Sequence, residues 1–423
     1  MTTATSEPRA AVSRAGSAPG KLRILLISNF FPPNIKGGAE LACYHLARWL
    51  SGQGHAVGVL TLAAPASSDS DERISDSLIV YRRRIPNLYH TFLHDKVPGW
   101  KKPLWHLIDH FNPFSAGTLR AVVRDFAPDV INTHNLQGMG YNLWRALGKT
   151  GRPLLVTLHD PALVCLRSSM FREGRSCEKI CATCEVSRCL KKSFLSRVAR
   201  LGFVSPSRSL LGILRPFLPP NAAEAVSIPN PLDFGRAEVA PAAGGRLELL
   251  YVGQISEHKG VRFILEVLAA LPHPKPFRMT LLGRGPLLAE LQQKYADAEW
   301  VRFEGFVPPE KVQSYMVTSH LLLIPSLWVE NAPLVAMEAI GMGLPLLTSD
   351  QGGLPELVEH QVTGLALPAG DAQAWALAIT RIASEEGLLE KWRTHARARR
   401  AEFDVNALGA RYLELVGRLL LQA

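Results

Sequence analysis

The sequence predicts an α/β protein with two domains, each built on a doubly wound parallel sheet, that face each other across a cleft. Three observations support this prediction. The chain has 423 residues, enough for two or three domains with their own cores. Continuous apolar runs alternate with segments of helical periodicity, as in parallel sheets covered by helices. This alternation stops once, at 231–246, which we interpret as a linker, and then begins again.

The first half begins with the apolar run "LRILLISNFF", which two prolines end. Apolar residues then recur at helical spacing from Leu41 to Leu50, and Gly52 and Gly54 predict the end of that helix. The next predicted strand, "AVGVLTLAA", completes a βαβ unit. Further strands are predicted in "PDVINTHN", "PLLVTLHD" and "RLGFVSPS".

The second half repeats this order. "LELLYVGQI" and "FRMTLLGRG" are predicted strands, and "GVRFILEVLAAL" and "PLLAELQQKYA" are the helices that follow them. "HLLLIPS" and "LPLLTSD" predict two more strands. A cleft between two such domains is the expected place for a ligand.

Composition limits the classes of function. The balance of 47 basic and 37 acidic residues gives a net charge of +10, which favours anionic partners such as nucleotides or acidic membranes. The basic residues are dispersed, whereas nucleic-acid readers usually carry a basic stripe. Residues 1–21 lack the apolar centre of a secretory signal and are interpreted as a disordered tail, with a transit peptide as the weaker alternative. We therefore expect a cytoplasmic protein whose six cysteines stay reduced.

The stretch "VENAPLVAMEA" contains two glutamates, Glu330 and Glu338, on either side of Pro333. Proline suits the first turn of a helix, where the free N–H groups form an anion site. One carboxylate can meet sugar hydroxyls before the helix and the other a ribose behind it, which suits a nucleotide sugar. The alternative is a helix cap and a solvated glutamate.

The surrounding motifs strengthen the first interpretation. "YVGQISEHKG" contains Gly253, where backbone can approach a phosphate, and Lys259, a natural partner of a diphosphate. "LLGRGP", "FEGFV", "GGLPELV" and "TGLAL" follow in order. As an ordered group, over about 22–371, these motifs resemble the retaining nucleotide-sugar glycosyltransferases of the GT-B fold, family 4 (glycosyl transferases group 1).

The resemblance implies two Rossmann-like domains. The acceptor domain would be 22–232 with a cysteine-rich insertion at 165–189, the nucleotide-sugar domain 246–400, and 401–423 a helix that crosses back to the first domain. It implies catalytic roles for His159 beside the reacting sugar, Lys259 on the diphosphate and Glu330 on the sugar hydroxyls. The implied donor-binding residues are Gly37, Gly38, Gly253, Lys259, Arg284, Glu330, Asn331, Ala332 and Glu338, the last of these on the ribose.

One position departs from the family. An arginine is usual where this chain has Gln254. Arg284, in "GRG", is our candidate to replace the missing charge, and the alternative is a surface arginine.

The family resemblance further implies front-face transfer with retention, in which the leaving diphosphate takes the proton of the acceptor. No metal or other cofactor is required for this chemistry. The implied acceptor is a saccharide or a lipid-linked saccharide in polysaccharide or glycoconjugate biosynthesis. A nucleotide-sugar epimerase on the same fold is the alternative, although no extra acid–base carboxylates are evident. A zinc-containing nucleic-acid-binding protein is a remote one.

Three further segments carry separate hypotheses. Cys165, Cys177, Cys181 and Cys184 are candidate ligands of a structural zinc ion, with a reduced thiol-rich loop as the alternative. "SDSDE", at 68–72, is interpreted as a surface loop. The aromatic and basic residues at 97–114 suit contact with an anionic membrane at the inner face of the plasma membrane, or equally a packed helix with two exposed lysines.

Overall fold

The computed structural model describes residues 20–172, 175–177, 179–232 and 245–421. The predicted disordered tail therefore lies almost wholly outside the described residues, as does most of the predicted linker. The described strands are β1 (Arg23–Ile27), β2 (Ala56–Leu62), β3 (Ser70–Ser75), β4 (Leu78–Arg83), β5 (Val130–Thr133), β6 (Leu154–Thr157), β7 (Phe171–Arg172), β8 (Arg175–Ser176), β9 (Leu201–Ser205), β10 (Ala222–Ser227), β11 (Leu247–Val252), β12 (Phe277–Leu282), β13 (Val301–Gly305), β14 (Leu321–Ile324), β15 (Leu346–Ser349) and β16 (Gly364–Leu367).

Helices connect most of these strands. The described α-helices are α1 (Gly38–Gly52), α2 (Lys102–Phe111), α3 (Ser115–Phe126), α4 (Leu143–Gly148), α5 (Ala182–Leu195), α6 (Arg208–Leu214), α7 (Val261–Ala270), α8 (Leu288–Lys294), α9 (Pro309–Thr318), α10 (Leu334–Met342), α11 (Leu354–Leu357), α12 (Ala372–Ser384), α13 (Leu388–Ala398) and α14 (Val405–Leu421). Within the described residues, no helix has both the length and the apolar character needed to cross a bilayer.

Two sheets organise the described chain, and the predicted α/β class is confirmed. The first has the order β10-β9-β6-β5-β1-β2-β4-β3, and the second has the order β13-β12-β11-β14-β15-β16. All neighbouring strands are parallel except β3 and β4. The order of each sheet reverses direction beside its first strand, and such switch points are where open α/β sheets bind ligands.

The apolar runs arise because both faces of each sheet are covered. Along β1, Leu25 and Ile27 face one apolar cluster, and Ile24 and Leu26 face another. Since successive side chains point to opposite faces, a strand buried on both sides must be apolar throughout.

The last helix belongs to the core of the first sheet. Leu408, Leu415 and Leu419 of α14 are buried in the same cluster as Ile24 and Leu26 of β1. This helix follows the second sheet in the chain but packs against the first domain, so the two halves of the protein are joined by more than the segment between them.

The interpretation of "SDSDE" as a loop was wrong for its last three residues. Ser70 begins β3, an exposed edge strand that pairs antiparallel with β4. Asp71 and Glu72 form ion pairs with Arg83 and Arg82. These ion pairs between opposite charges on the two strands stabilise the edge strand. Charged side chains also keep such an edge from pairing with another strand.

Candidate active site

The predicted site residues lie where strands of both sheets end and face the cleft. Gly37 and Gly38 follow β1, and His159 follows β6 in the first domain. Lys259 follows β11 and Glu330 follows β14 in the second domain, the latter just before α10. The carboxyl ends of parallel strands share one edge of a sheet, so loops distant in sequence meet at the cleft.

An ion pair between a buried carboxylate and a partly exposed ammonium lies just before α10. Lys259 Nζ lies 2.6 Å from Glu330 Oε1, and the Ser326 hydroxyl donates to the same oxygen at 2.6 Å. The ammonium also lies 4.7 Å from the centre of the Trp328 ring. Burial alone would raise the pKa of Glu330, but the Lys259 ammonium and the Ser326 hydroxyl outweigh it and hold the pKa below its usual value. Glu330 is therefore ionised at neutral pH.

Glu338, two turns further on, has its pKa shifted in the opposite direction. Burial raises its pKa to about 7. None of the described residues donates a hydrogen bond to this carboxylate or forms an ion pair with it. An acceptor that is half protonated near neutral pH and lacks a protein partner is well suited to bind ligand hydroxyls.

Asn331 joins the two domains through its side chain. Its Nδ2 donates to the carbonyl oxygens of Leu158 at 3.0 Å and His159 at 2.9 Å, and the Ser207 hydroxyl donates to its Oδ1 at 2.6 Å. The sequence predicted a role only for the main-chain N–H groups of Asn331 and Ala332. Within the described residues these N–H groups have no acceptor, so both predicted donors are available to an anion.

The glycine loop of the first domain meets the same helix start. A Cβ atom on Gly38 would lie 3.3 Å from Leu334 Cγ, so glycine permits the loop to approach the first residue of α10. Gly37 N–H donates to Glu40 Oε2 at 2.7 Å. The start of α10 is thus enclosed by the glycine loop on one side and by the Lys259–Glu330 pair on another.

Gly253 and Arg284 lie on neighbouring loops of the second domain. A Cβ on Gly283 would lie only 1.7 Å from Gly253 O, so these loops pack backbone against backbone. Arg284 is exposed, and its guanidinium lies 4.9 Å from the centre of the Phe306 ring. Gln254 is exposed as well. Arg284 thus has the freedom to turn toward a ligand, but no described contact directs it there.

His159 is hydrogen-bonded to a second histidine that the sequence analysis missed. His134 Nδ1 lies 2.8 Å from His159 Nε2, and the two rings stack with their centres 5.1 Å apart. Burial lowers the pKa of His159 to about 4 and that of His134 well below its usual value. Both rings are therefore neutral at pH 7. The available signal was positional, because "NTHN" and "TLHD" end the adjacent strands β5 and β6.

Two more residues at the domain boundary were missed. Glu356 accepts hydrogen bonds from the N–H groups of Arg208 at 3.0 Å and Ser209 at 2.7 Å, so a second-domain carboxylate caps a first-domain helix. Asp160 follows His159, and burial raises its pKa to about 6. Glu356 lies in the quoted motif "GGLPELV" and Asp160 in "TLHD", but sequence does not tell which side chains face the other domain.

The cysteine-rich insertion contains the β7–β8 hairpin and the start of α5. Cys184 Sγ accepts a hydrogen bond from Leu166 N–H at 3.4 Å, and Cys165 is buried whereas Cys181 is exposed. Among the residues that the structure describes, no group of three or more His, Cys, Asp or Glu side chains is arranged to hold a metal ion. The zinc site at Cys165, Cys177, Cys181 and Cys184 stays a prediction.

Comparison with family models covers nearly the whole chain. The model for Glycosyltransferase Family 4 matches residues 36–236, and the model for Glycosyl transferases group 1 matches residues 237–399. The amylovoran biosynthesis glycosyltransferase AmsK of Erwinia amylovora is 33% identical over 183 residues, which span 41% of this chain and 45% of AmsK. The glycogen synthase of Mycobacterium tuberculosis H37Rv is 27% identical over 403 residues, 90% of this chain and 91% of that one.

Solved structures share the same fold. A sucrose-phosphate synthase from Thermosynechococcus elongatus superposes with a TM-score of 0.76 at 21% identity, covering 95% of this chain and 100% of that one. The HepE protein of Anabaena, in complex with UDP and glucose, superposes with a TM-score of 0.69 at 18% identity, covering 94% and 99%.

Proposed function

This chain belongs to the family 4 glycosyltransferases (glycosyl transferases group 1) and has the GT-B fold, and we propose that it is a retaining hexosyltransferase. Its donor is a nucleoside-diphosphate sugar. Its acceptor is a hydroxyl of a saccharide or a lipid-linked saccharide in polysaccharide or glycoconjugate biosynthesis. The name of AmsK, which refers to amylovoran biosynthesis, supports the class of product. The UDP and glucose held by HepE support the class of donor.

The single observation that carries this proposal is the Lys259–Glu330 pair at the start of α10. A diphosphate placed before this helix would meet the partly exposed ammonium of Lys259, held at 2.6 Å from Glu330 Oε1, and the N–H groups of Asn331 and Ala332. The dipole of α10 adds positive potential at the same point. Glu330, already ionised, can accept hydrogen bonds from sugar hydroxyls.

Chemistry then depends on stabilising the leaving group. The bond between the anomeric carbon and the diphosphate oxygen breaks while the acceptor oxygen bonds to the same face of the sugar. The proton of the acceptor passes to the departing phosphate oxygen. Negative charge develops on the diphosphate, where Lys259 and the N–H groups before α10 stabilise it. Preorganised donors of this kind contribute about 3–4 kcal/mol each to lowering a barrier. No metal ion or other cofactor enters these steps.

Thermal unfolding with UDP, GDP or ADP at millimolar concentration, without added metal, tests donor binding. A ligand at about 100 times its Kd stabilises by roughly 2.7 kcal/mol, which raises Tm by several degrees. We expect one nucleotide to stabilise the wild type and Glu338→Ala to lose the effect. Glu266→Ala, which changes an exposed glutamate of the same domain, is the control and should keep it. No shift with any nucleotide would contradict the proposal.

Stereochemistry is tested separately. With the sugar donor of the nucleotide that binds, the anomeric proton coupling of the new glycoside reports its configuration by NMR. We expect the configuration of the donor to be retained, and an inverted product would overturn the retaining assignment.

The surface around α2 supports peripheral contact with an anionic membrane at the inner face of the plasma membrane. Trp105 is buried, but an exposed apolar stripe repeats at intervals of four and three residues. We call this the α2 stripe; its members are Trp100, Leu104, Leu107, Phe111 and Phe114. Lys101 and Lys102 lie beside it and match anionic lipid in charge.

Sedimentation with vesicles that contain anionic lipid tests this contact. We expect binding at low salt that weakens at high salt, and a large loss in the double variant Leu104→Ser and Leu107→Ser. Leu377→Ser, which changes a leucine that is 63% exposed on α12, is the matched control. Absence of binding at low salt would contradict the proposal.

A structural zinc ion at Cys165, Cys177, Cys181 and Cys184 is a further proposal. The chemical observation in its favour is five thiols within one short insertion, four of which would complete a site, since thiolates are preferred zinc ligands. Elemental analysis of the purified protein should find one zinc per chain, lost in Cys184→Ser and kept in Cys189→Ser. Metal-free protein with an unchanged Tm in chelator would overturn it.

A further inference from the structure

A chain of buried hydrogen bonds runs from the last helix to the cleft. Tyr412 of α14 lies 3.1 Å from Asn132 Nδ2, and the same nitrogen lies 3.1 Å from His134 Nε2. His134 Nδ1 in turn lies 2.8 Å from His159 Nε2. The Thr157 hydroxyl meets Asn132 Oδ1 at 3.0 Å.

The Asn132 amide lies with its Nδ2 toward His134 and Tyr412 and its Oδ1 toward Thr157. Asn132 is fully buried, with two polar neighbours at one end of its amide and one at the other. An NH₂ group at the two-contact end uses both of its hydrogens, and the oxygen accepts from Thr157. In this orientation Asn132 Nδ2 donates to the Tyr412 oxygen and to His134 Nε2.

This orientation determines the position of the proton on each ring. Asn132 donates to His134 Nε2, so that nitrogen is an acceptor and the proton of the neutral ring lies on Nδ1. His134 Nδ1–H then donates to His159 Nε2, which leaves the proton of His159 on its Nδ1. Burial lowers the pKa of both histidines, which supports one proton on each ring at neutral pH.

We propose that His159 acts in the cleft as a neutral hydrogen-bond donor through Nδ1–H, and that Asn132 and His134 are positioning residues that hold it in this tautomer. Within the described residues, His159 Nδ1 has no protein partner. His134 and His159 line a common cavity of about 30 Å³ that Asp160 also lines, large enough for water.

The tautomer decides what His159 can do. With Nδ1 protonated and Nε2 occupied by His134, the ring has no free lone pair to take a proton from the acceptor. It can instead donate to an oxygen of the reacting sugar or of the acceptor without adding a charge. That it meets a sugar rests on the proposed function, whereas the tautomer itself does not.

NMR of protein labelled with ¹⁵N in histidine measures the tautomer directly, because protonated and unprotonated ring nitrogens differ widely in chemical shift. We expect Nδ1–H for both His134 and His159 in the wild type. Asn132→Leu removes the donor to His134 and should produce mixed tautomers at His159. Thr157→Val removes only the contact to the amide oxygen and should leave the tautomer unchanged.

Kinetics of the same variants separate positioning from general loss of structure. We expect Asn132→Leu to lower kcat about tenfold with little change in KM for the donor, and Thr157→Val to keep kcat within about twofold. His159→Asn, whose amide N–H can replace Nδ1–H, should retain more activity than His159→Gln.

The tautomer and the function can fail independently. A wild-type His159 protonated on Nε2, or an Asn132→Leu variant with unchanged spectrum and kcat, would overturn the inference. If no nucleotide sugar is turned over by any variant, the proposed function fails, and the NMR result still decides the tautomer.

Discussion

The ionisable groups on the two sides of the cleft differ in their charge at neutral pH. On the second-domain wall, Lys259 and Glu330 are both charged and lie 2.6 Å apart. On the first-domain wall, His134 and His159 are neutral and are joined by a hydrogen bond. The second-domain wall holds a buried carboxylate in its ionised form, whereas the first-domain wall holds two histidines in their neutral form.

The difference follows from what each group has as a partner. A buried charge is tolerated when an opposite charge and further hydrogen bonds compensate for lost hydration, as Lys259 and Ser326 do for Glu330. Without such a partner, burial favours the neutral form, as it does for His159. Charge is thus retained where an anionic diphosphate is proposed to bind, and neutral donors face the proposed reacting sugar.

The largest effect is expected from removing the charge on the second-domain wall. Lys259→Ala should lower kcat/KM by about 10²–10³-fold, because it removes a preorganised donor to the leaving group. The substitution should also weaken the binding of a nucleoside diphosphate far more than the binding of the corresponding nucleoside. Calorimetric titration measures both affinities. Lys294→Ala, at an exposed ion pair of the same domain, is the control. Near-normal turnover in Lys259→Ala would show that the charged wall does not serve the reaction.

Separating the two walls should have the next largest effect. Asn331→Ala removes the hydrogen bonds to the carbonyls of Leu158 and His159, and misplaced reacting groups cost up to about 10²-fold in rate. We expect a clear loss of kcat and a larger radius of gyration in X-ray scattering. Asn221→Ala, which breaks amide–carbonyl bonds inside the first domain, should reproduce neither effect. Equal losses in both variants would assign Asn331 to general stability.

Glu338 is expected to make nucleotide affinity depend on pH. Its pKa in the free protein is about 7, and ribose hydroxyls that donate to the carboxylate would lower it, so binding releases a proton. Affinity should therefore rise several-fold from about pH 6 to pH 8. The side chain of Glu338→Gln cannot ionise, so any change of nucleotide affinity with pH that remains in this variant reports the ionisation of the nucleotide itself. Identical slopes in both proteins would rule out a ribose role for this carboxylate.

The same group also affects the stability of the free protein. Its folded pKa is raised from the usual 4.5, so its stabilising contribution is complete below that pH and is lost as pH rises through about 7. Glu338→Gln should therefore gain Tm relative to the wild type above pH 7. Thermal unfolding of both proteins at pH 5 and pH 8 measures how their difference in Tm depends on pH. A lower Tm for Glu338→Gln than for the wild type at pH 8 would contradict the prediction.

The smallest effect is expected at Arg284. Its guanidinium is exposed and, within the described residues, packs on the ring of Phe306, so solvent screens its charge. We expect Arg284→Ala to raise KM for the donor about threefold with kcat unchanged. Gln254→Arg, which restores the charge usual in the family, should lower KM by a similar factor. A hundredfold loss in Arg284→Ala would place this residue with Lys259.

Local pattern was sufficient for much of the site. Pro333 and the apolar run after it predicted α10, and the order of the surrounding motifs predicted that Glu330, Glu338 and Lys259 serve one ligand. The structure brings Lys259 and Glu330 into contact across 71 positions of sequence. The roles of these residues toward a ligand remain predictions.

Other parts depended on contacts that no local pattern contains. The Asn331 side chain bonds to carbonyls 172 and 173 positions away, and Tyr412 reaches Asn132 across 280 positions. Periodicity and turn chemistry report on neighbours a few residues apart, so they did not reveal these partners.

The sequence by itself determined the two-domain α/β class, the order of the strands and helices that it predicted, and the position of the helix start at which an anion is proposed to bind. These features follow from short-range periodicity and from the burial of both faces of each sheet. Only the tertiary structure decided which groups are charged. Glu330 and Glu338 are the same residue type on one short segment, yet Lys259 lowers the pKa of the first and burial raises the pKa of the second. Protonation depends on the distance to partners and water, which the folded arrangement of distant segments sets.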